Sequence, residues 1–322
     1  MMPKSSSNDI LSPLATPAVQ AELIAGLSAP GAHISPKFLY DPLGCKLFEA
    51  ICELPEYYPT RTEAAIVARY GAELARVAGA GSTLIDLGAG NCAKAATLFP
   101  LLHPAQYVAV DISADFVRGS VERLQQRFPH IEMSALGLDF SSRLALPDTV
   151  RQEKRLFFYP GSSIGNFTPE QARVFLQRVR AQCDREGGLL IGIDLVKDHT
   201  VLDAAYDDAL GVTAAFNLNM LRHVNGLIGA DFDVRQWRHR GFFNAGESRI
   251  EMHLEAIEEL TVFWQGGERR FSKGERIHTE NSYKYRQSAA VGLLEQSGLR
   301  TVQLWTDPNE WFALIYARPI PG

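Results

Sequence analysis

The chain has 322 residues, of which 46% are hydrophobic and 21% charged, and its formal net charge is −5. That composition supports a large buried core and excludes a disordered or fibrous chain. Basic residues are spread along the sequence, so the concentrated positive surface of a nucleic-acid binder is not expected and a small-molecule partner is.

The first residues, "MMPKSSSNDILSPLATPA", are polar and lack the apolar run of a signal peptide. Residues 1–17 read as a flexible tail. From Ala18 to Ala50 the pattern is helical but irregular. "LPEYYPTRTE" follows, rigid and aromatic, with Thr62 placed to cap the helix "EAAIVARYGAELARVAG". From Thr83 strands and helices alternate. "TLIDLG", "QYVAVDI", "IEMSALGLDF", "RLFFYPG" and "GGLLIGIDLV" read as strands. "NCAKAATLFPLL", "SADFVRGSVERLQQRF" (opened by Ser113 as a cap) and "TPEQARVFLQRVRAQC" read as helices. Near-continuous apolar strands between helices predict an α/β, Rossmann-like parallel sheet covered on both faces.

After Val196 the pattern breaks. A helical stretch precedes strand-like segments, among them "RIEMHLEAI", whose alternation predicts an antiparallel strand with one wet face. Two final strands, "RTVQLWTDP" and "WFALIYARP", return to the first sheet. The expected division is therefore a sheet domain over 61–196 and 286–322, and a smaller α+β domain over 18–60 and 197–285. Lys197 and Asp198 are expected to pair at the hinge between them. The longest apolar run, "GGLLIGIDLV", is too short to span a bilayer, and a soluble, cytoplasmic chain without a membrane partner is expected. Cys45, Cys52, Cys92 and Cys183 show no C-x-x-C spacing and read as small buried thiols. No metal site is expected.

The junction of the first strand and its helix reads Asp86-Leu-Gly88-Ala-Gly90-Asn-Cys-Ala93. Two glycines let backbone approach a ligand closely, and a helix N-terminus offers free N–H groups. This pattern fits both S-adenosylmethionine and a dinucleotide such as NAD, with Asp111 about twenty residues on for a ribose. Acids after three successive strands favour the first. Asp86 is placed for the cationic methionine end, Asp111 for the ribose hydroxyls and Asp139 for the adenine amino group.

Several segments resemble the histidine Nα-methyltransferases of ergothioneine biosynthesis: "FLYDPLG", "LPEYYPTRTEA", "GSSIGNFTP", "DLVKD", "AYDDALGVTAAFNLN", "ESRIEMHL", "TENSYKYR" and "WTDP". They span about residues 38–312. The resemblance implies a class I methyltransferase domain joined to a substrate-binding domain, with S-adenosyl-L-methionine as cofactor and S-adenosyl-L-homocysteine as product. It implies three methylations of L-histidine to hercynine by a monomer; a tryptophan N-methyltransferase is the alternative within the class.

By the same resemblance Asn166 and Tyr206 hold the substrate carboxylate, and Glu280 and Ser282 recognise the imidazole. Tyr57 faces that ring, Tyr40 lines the amine pocket and Met252 packs near the side chain. Gly161 supplies backbone near the methyl, and Lys94 keeps the family's lysine. Asn91 and Cys92 depart from the family's loop. Tyr40 or a chain of waters is the expected proton acceptor for the amine. His253 and His278 are expected to be structural.

Overall fold

The computed structural model describes residues 16–321, so the tail expected over 1–17 lies almost wholly outside the described residues. Helix α1 spans Pro17–Ser28, α2 Pro42–Cys52 and α3 Tyr58–Ala78. All three carry proline in the first turn, where no N–H is needed and φ is already helical. Pro59 starts α3 earlier than Thr62 would, so Thr62 lies inside the helix and caps nothing. Asp41 caps α2, accepting from the Gly44 N–H at 2.7 Å, and also accepts from Asn219 Nδ2 at 2.7 Å.

The alternating region follows as β1 Thr83–Leu87, α4 Ala93–Ala96, α5 Phe99–Leu102, β2 Gln106–Asp111, α6 Ala114–Arg127, β3 Glu132–Gly137, β4 Arg155–Tyr159, α7 Pro169–Gln182 and β5 Gly188–Asp194. Ser113 does not cap α6. Its hydroxyl instead donates to the Tyr40 carbonyl at 3.0 Å, tying the end of β2 to the early segment. Then come α8 His199–Tyr206, α9 Val212–Ile228, β6 Trp237–Asn244, β7 Arg249–Ala256, β8 Leu260–Trp264, β9 Gly267–Phe271, β10 Arg276–Tyr283, α10 Gln287–Gln296, β11 Leu299–Thr306 and β12 Phe312–Pro319.

Among the described residues seven strands form one sheet in the order β11-β12-β5-β4-β1-β2-β3. Strands β1 to β5 run parallel, and β12 is antiparallel to both its neighbours. This is the α/β, Rossmann-like class expected from the sequence. The central strands β1, β4 and β5 are apolar on both faces because each face is covered: Leu84, Phe158 and Leu190 pack into one layer, Ile85, Phe157 and Ile191 into the other. The chain leaves β1 for β2 and β3, then returns to β4 on the other side of β1. The loops after β1 and β4 therefore flank a crevice, the usual ligand position in such sheets.

A second, three-stranded sheet has the order β10-β7-β6, with β8 and β9 as a separate hairpin. Its apolar face shares one core with the early helices. Leu23, Leu27, Phe38 and Ile51 pack with Phe216, Met220, Ile250 and Leu254. Segments before residue 60 and after 197 thus meet in one cluster, while α3 runs straight across residue 60 from this cluster to the large sheet.

Strand β7 does not have the expected wet face. It is the centre of its sheet, and its polar side is covered by cross-strand charges. Glu251 accepts from Arg249 Nε and Asn244 Nδ2 at 2.9 Å each, and Glu255 accepts from Arg276 Nε at 2.9 Å and from Arg238.

The register of β10 breaks between His278 and Glu280. His278 is opposite His253, but Glu280 is opposite Met252, which leaves Thr279 as an extra residue. Such a bulge reverses the inward–outward parity beyond it. Glu280 and Ser282 consequently share the inner face with Met252 and Ile250, whereas unbroken alternation would have put Glu280 beside His278 on the outer face.

At Gly44 a Cβ would sit 1.8 Å from the Leu39 carbonyl oxygen. Gly44→Ala is expected to destabilise the fold by ~1–3 kcal/mol, as overpacking does, read as a lower urea midpoint with an unchanged slope.

Candidate active site

One cavity is walled by Tyr40, Phe48, Ile51, Tyr57, Ala205, Tyr206, Thr213, Phe216, Met252 and Glu280. Helix α2, the turns on either side of it, α8, α9 and the small sheet each supply part of the wall. Tyr40 stands edge-on to Phe48 and Phe216 with ring centroids 5.7 and 5.6 Å apart, and Tyr57 meets Tyr206 at 6.2 Å. The result is an aromatic box, a surface that suits a cationic amine. Of the residues expected to bind substrate, Tyr40, Tyr57, Tyr206, Met252 and Glu280 come together here. Phe48 and Phe216 were not singled out in the sequence, where their helical spacing marks them only as core.

Glu280 is 8% exposed and accepts no side-chain hydrogen bond among the described residues. Burial pushes its carboxyl up to about 7, against the pull of Lys284. Beside it Tyr206 and Ser282 bring their hydroxyls to 2.8 Å from each other. Behind that pair lies Lys284, whose Nζ donates to Tyr206 at 3.0 Å, to Ser282 at 2.8 Å and to Asp194 Oδ2 at 2.8 Å. Asp194, at the end of β5, also accepts from the Tyr58 hydroxyl at 2.8 and 2.7 Å. Burial opposes ionisation of Asp194, but Lys284 and Lys197 outweigh it and hold its pKa below the usual range. Lys197 therefore pairs with Asp194 and not with Asp198, which caps α8 by accepting from the Thr200 N–H at 2.8 Å. The physical reason is location: Asp198 is exposed, whereas Asp194 is buried and needs the charge.

Burial pushes the Tyr40 and Tyr57 phenols well above their ordinary pKa, and Glu280 adds to the effect. Both are held as protonated, hydrogen-bonding phenols. Asn166 ends a short 3-10 turn after β4, outside the cavity wall. That turn packs on β10 so closely that a Cβ on Gly165 would lie 3.4 Å from Ser282 Oγ. Asn166 is therefore carried past the same strand, with no hydrogen-bond partner for its side chain among the described residues. His253 and His278 lie on the outer face of the small sheet, bound to Glu251 and Asn281 at 2.9 Å each.

The crevice of the large sheet begins at the glycine loop. Gly88 and Gly90 have φ of +74° and +51°, in the left-handed region that favours glycine, and a Cβ on Gly90 would meet open space. Asp111 ends β2 as expected. Its Oδ2 accepts from the Gly90 N–H and its Oδ1 from the Ser113 N–H, at 2.9 Å each, with lone pairs remaining. Asp86 lies under the loop, 1% exposed. Its Oδ2 accepts from the Tyr107 hydroxyl at 2.8 Å, its Oδ1 is unpartnered among the described residues, and burial pushes it up to about 7.

Asp139 follows β3 by two residues and holds the Ser141 N–H at 3.1 Å, with Lys37 Nζ at 3.7 Å. Lys94 Nζ is 2.7 Å from Glu63 Oε2, and the same carboxylate accepts from the Gly161 N–H at 2.9 Å. Glu63, 3% exposed, was missed in the sequence, where it reads as an ordinary first-turn acid. It joins the loop after β1 to the loop after β4. In the divergent loop, Asn91 donates to Glu49 of α2 at 3.1 Å, and Cys92 is buried with φ of +62°. Among the described residues no three His, Cys, Asp or Glu side chains gather to hold a metal, and no helix is long and apolar enough to cross a membrane.

Because folding holds the Glu280 proton, this group contributes stability fully present below ~pH 4.3, its unfolded pKa, and lost as pH rises through about 7. Glu280→Gln is therefore expected to raise Tm above pH 7 and to leave it nearly unchanged near pH 4, as measured by calorimetry across that range.

The chain matches the family model "Histidine-specific methyltransferase, SAM-dependent" over residues 19–319. It is 39% identical to the histidine N-alpha-methyltransferase of Mycolicibacterium smegmatis, covering 98% of this chain and 99% of that protein. It is 36% identical to the enzyme of the same name from Mycobacterium tuberculosis, covering 93% and 94%. Ergothioneine biosynthesis protein 1 of Neurospora crassa is 31% identical over 87% of this chain, which corresponds to 32% of that longer protein. The cofactor is thus S-adenosyl-L-methionine rather than NAD, and the protein is an N-methyltransferase. The chain belongs to the family of histidine-specific, SAM-dependent methyltransferases.

Proposed function

We propose that this enzyme methylates the α-amino group of L-histidine three times, giving hercynine, as a step of ergothioneine biosynthesis. The observation that carries the reading is Glu280: a buried carboxyl with no hydrogen-bond partner among the described residues, turned into an aromatic cavity by the bulge at Thr279, beside a hydroxyl pair. An imidazole N–H is a donor such a carboxylate lacks, and its other nitrogen can accept from a hydroxyl. The carboxylate of the amino acid goes to Tyr206 and Asn166. Met252 and Tyr57 flank the ring, and Tyr40 lines the amine end of the box. Residues 18–60 and 197–285 form the substrate-binding part, and residues 61–196 and 286–322 the cofactor-binding part.

The cofactor residues fit their group. Gly88 and Gly90 leave a cradle, Asp111 has lone pairs free for ribose hydroxyls, and the unpartnered Asp86 Oδ1 awaits a donor. Lys94 and Gly161, joined by Glu63, border the methionine end, and Asp139 the adenine end. Bound S-adenosyl-L-methionine supplies an activated methyl as a sulfonium. The protein aligns the amine lone pair behind that carbon, so that the N–C bond forms as the C–S bond breaks. Each methylation releases one proton from the nitrogen. A peptide α-amino group has a pKa of ~8; the carboxylate of a free amino acid holds it higher, so the neutral fraction at physiological pH is small but present without a strong base. The enzyme acts as a soluble, cytoplasmic monomer on the free amino acid, with neither nucleic acid nor membrane as partner.

Purified protein incubated with the cofactor and the twenty amino acids is expected to add three methyls to histidine alone, read by mass spectrometry. Modification of a different amino acid would overturn the substrate. Glu280→Ala is expected to lower kcat/KM for histidine by ~10- to ~100-fold, the loss of one charge-assisted hydrogen bond; full retention would remove Glu280 from ring recognition.

A further inference from the structure

Lys284 has no assigned part in the reading above, yet its side chain has no exposure and all three of its N–H groups are used. Asp194 holds it from behind, while Tyr58 and Lys197 complete the far side of that carboxylate. Towards the cavity it faces Tyr206 and Ser282, with Glu280, Tyr40 and Tyr57 beyond.

We propose, resting on the histidine reading, that Lys284 is a positioning residue that frees both hydroxyls of the Tyr206–Ser282 pair to donate to the substrate at once. Each hydroxyl has one proton and two lone pairs. Two hydroxyls 2.8 Å apart and otherwise alone satisfy each other: one gives its proton to the other, and only one O–H remains for a ligand. An ammonium that donates to both oxygens offsets the loss of that mutual bond when a ligand acceptor draws its proton outward. Each oxygen then already accepts a proton, and both O–H groups can turn outward together.

The proposed substrate asks for two donors here. Its carboxylate only accepts, and the ring nitrogen turned away from Glu280 accepts when the imidazole is neutral. Lys284 thereby selects a neutral ring over an imidazolium, which would need an acceptor where the pair now donates. Fully enclosed, the lysine touches no ligand, and its charge reaches the carboxylate through the two hydroxyls.

The test is steady-state kinetics with histidine for wild type and Lys284→Met, alone and in a Tyr206→Phe/Ser282→Ala background. Lys284→Met is expected to raise KM at least ~tenfold with a much smaller fall in kcat, the loss of one or two hydrogen bonds to a carboxylate. In the background lacking both hydroxyls the same change is expected to cost less than ~threefold, because nothing remains for the lysine to orient. In Lys284→Met the buried Asp194 keeps Lys197 as its counter-ion; if that variant still fails to fold, Lys284→Leu carries the same comparison. Losses that simply multiply across the two backgrounds would reduce Lys284 to a structural counter-ion and overturn the proposal. Wild-type turnover with KM unchanged in folded Lys284→Met would overturn Lys284 alone. No histidine turnover by wild type would overturn the histidine reading and this role together.

Discussion

An ionised carboxylate sealed from water has to be neutralised, and the junction of this protein is built around that requirement at Asp194. It is 0% exposed and stands at the C-terminal end of β5, where a parallel sheet opens onto its ligands. It receives the Tyr58 hydroxyl from α3, Lys197 from the segment after β5 and Lys284 from the end of β10. Its own N–H donates to Ser162 Oγ at 2.8 Å, next to the loop after β4. Segments that begin both parts of the molecule are thus tied to one charge. Removing any one partner leaves a buried ion short of compensation, which is far costlier than losing a surface pair.

Glu63 does for the crevice of the large sheet what Asp194 does for the aromatic cavity. It comes from α3, holds Lys94 and the Gly161 N–H, and leaves no room for a side chain at Gly192, where a Cβ would be 2.2 Å from its Oε1. Helix α3 therefore carries an anchor at each: Tyr58 on the cavity side and Glu63 on the crevice side, five residues apart. The distance between the two sites is held by a continuous helix rather than by a hinge.

Much of the large sheet was legible in the sequence because its strands are apolar on both faces and end in acids, a pattern few other arrangements produce. The residues of the aromatic cavity were legible only as members of distinctive peptides. Tyr206 and Met252 have the spacing of ordinary core residues, and nothing local separates them from Phe216. The bulge at Thr279 was not legible, because "RIHTENSY" alternates equally well in either register and only its pairing with β7 decides. Lys284 and Glu63 were hidden for a different reason: a buried ion looks like a surface charge until its partners, 90 and 98 residues away in the case of Asp194 and Gly161, are brought beside it. The Lys197–Asp198 pair failed for the same reason, since proximity in sequence gave no hint that Asp194 was the buried acid.

The small sheet and the early helices share one core although more than a hundred residues of the large sheet lie between them. As the chain leaves a ribosome, α1 and α2 emerge with their apolar faces exposed, and their partners in α9, β7 and β10 arrive only after the first five strands of the large sheet. The large sheet is no better placed, since its strands β11 and β12 follow all of these. Neither half closes early, and loop-closure entropy weighs on both. Folding is thus expected to wait on contacts of long sequence separation, and residues 17–52 form the stretch most in need of a chaperone meanwhile.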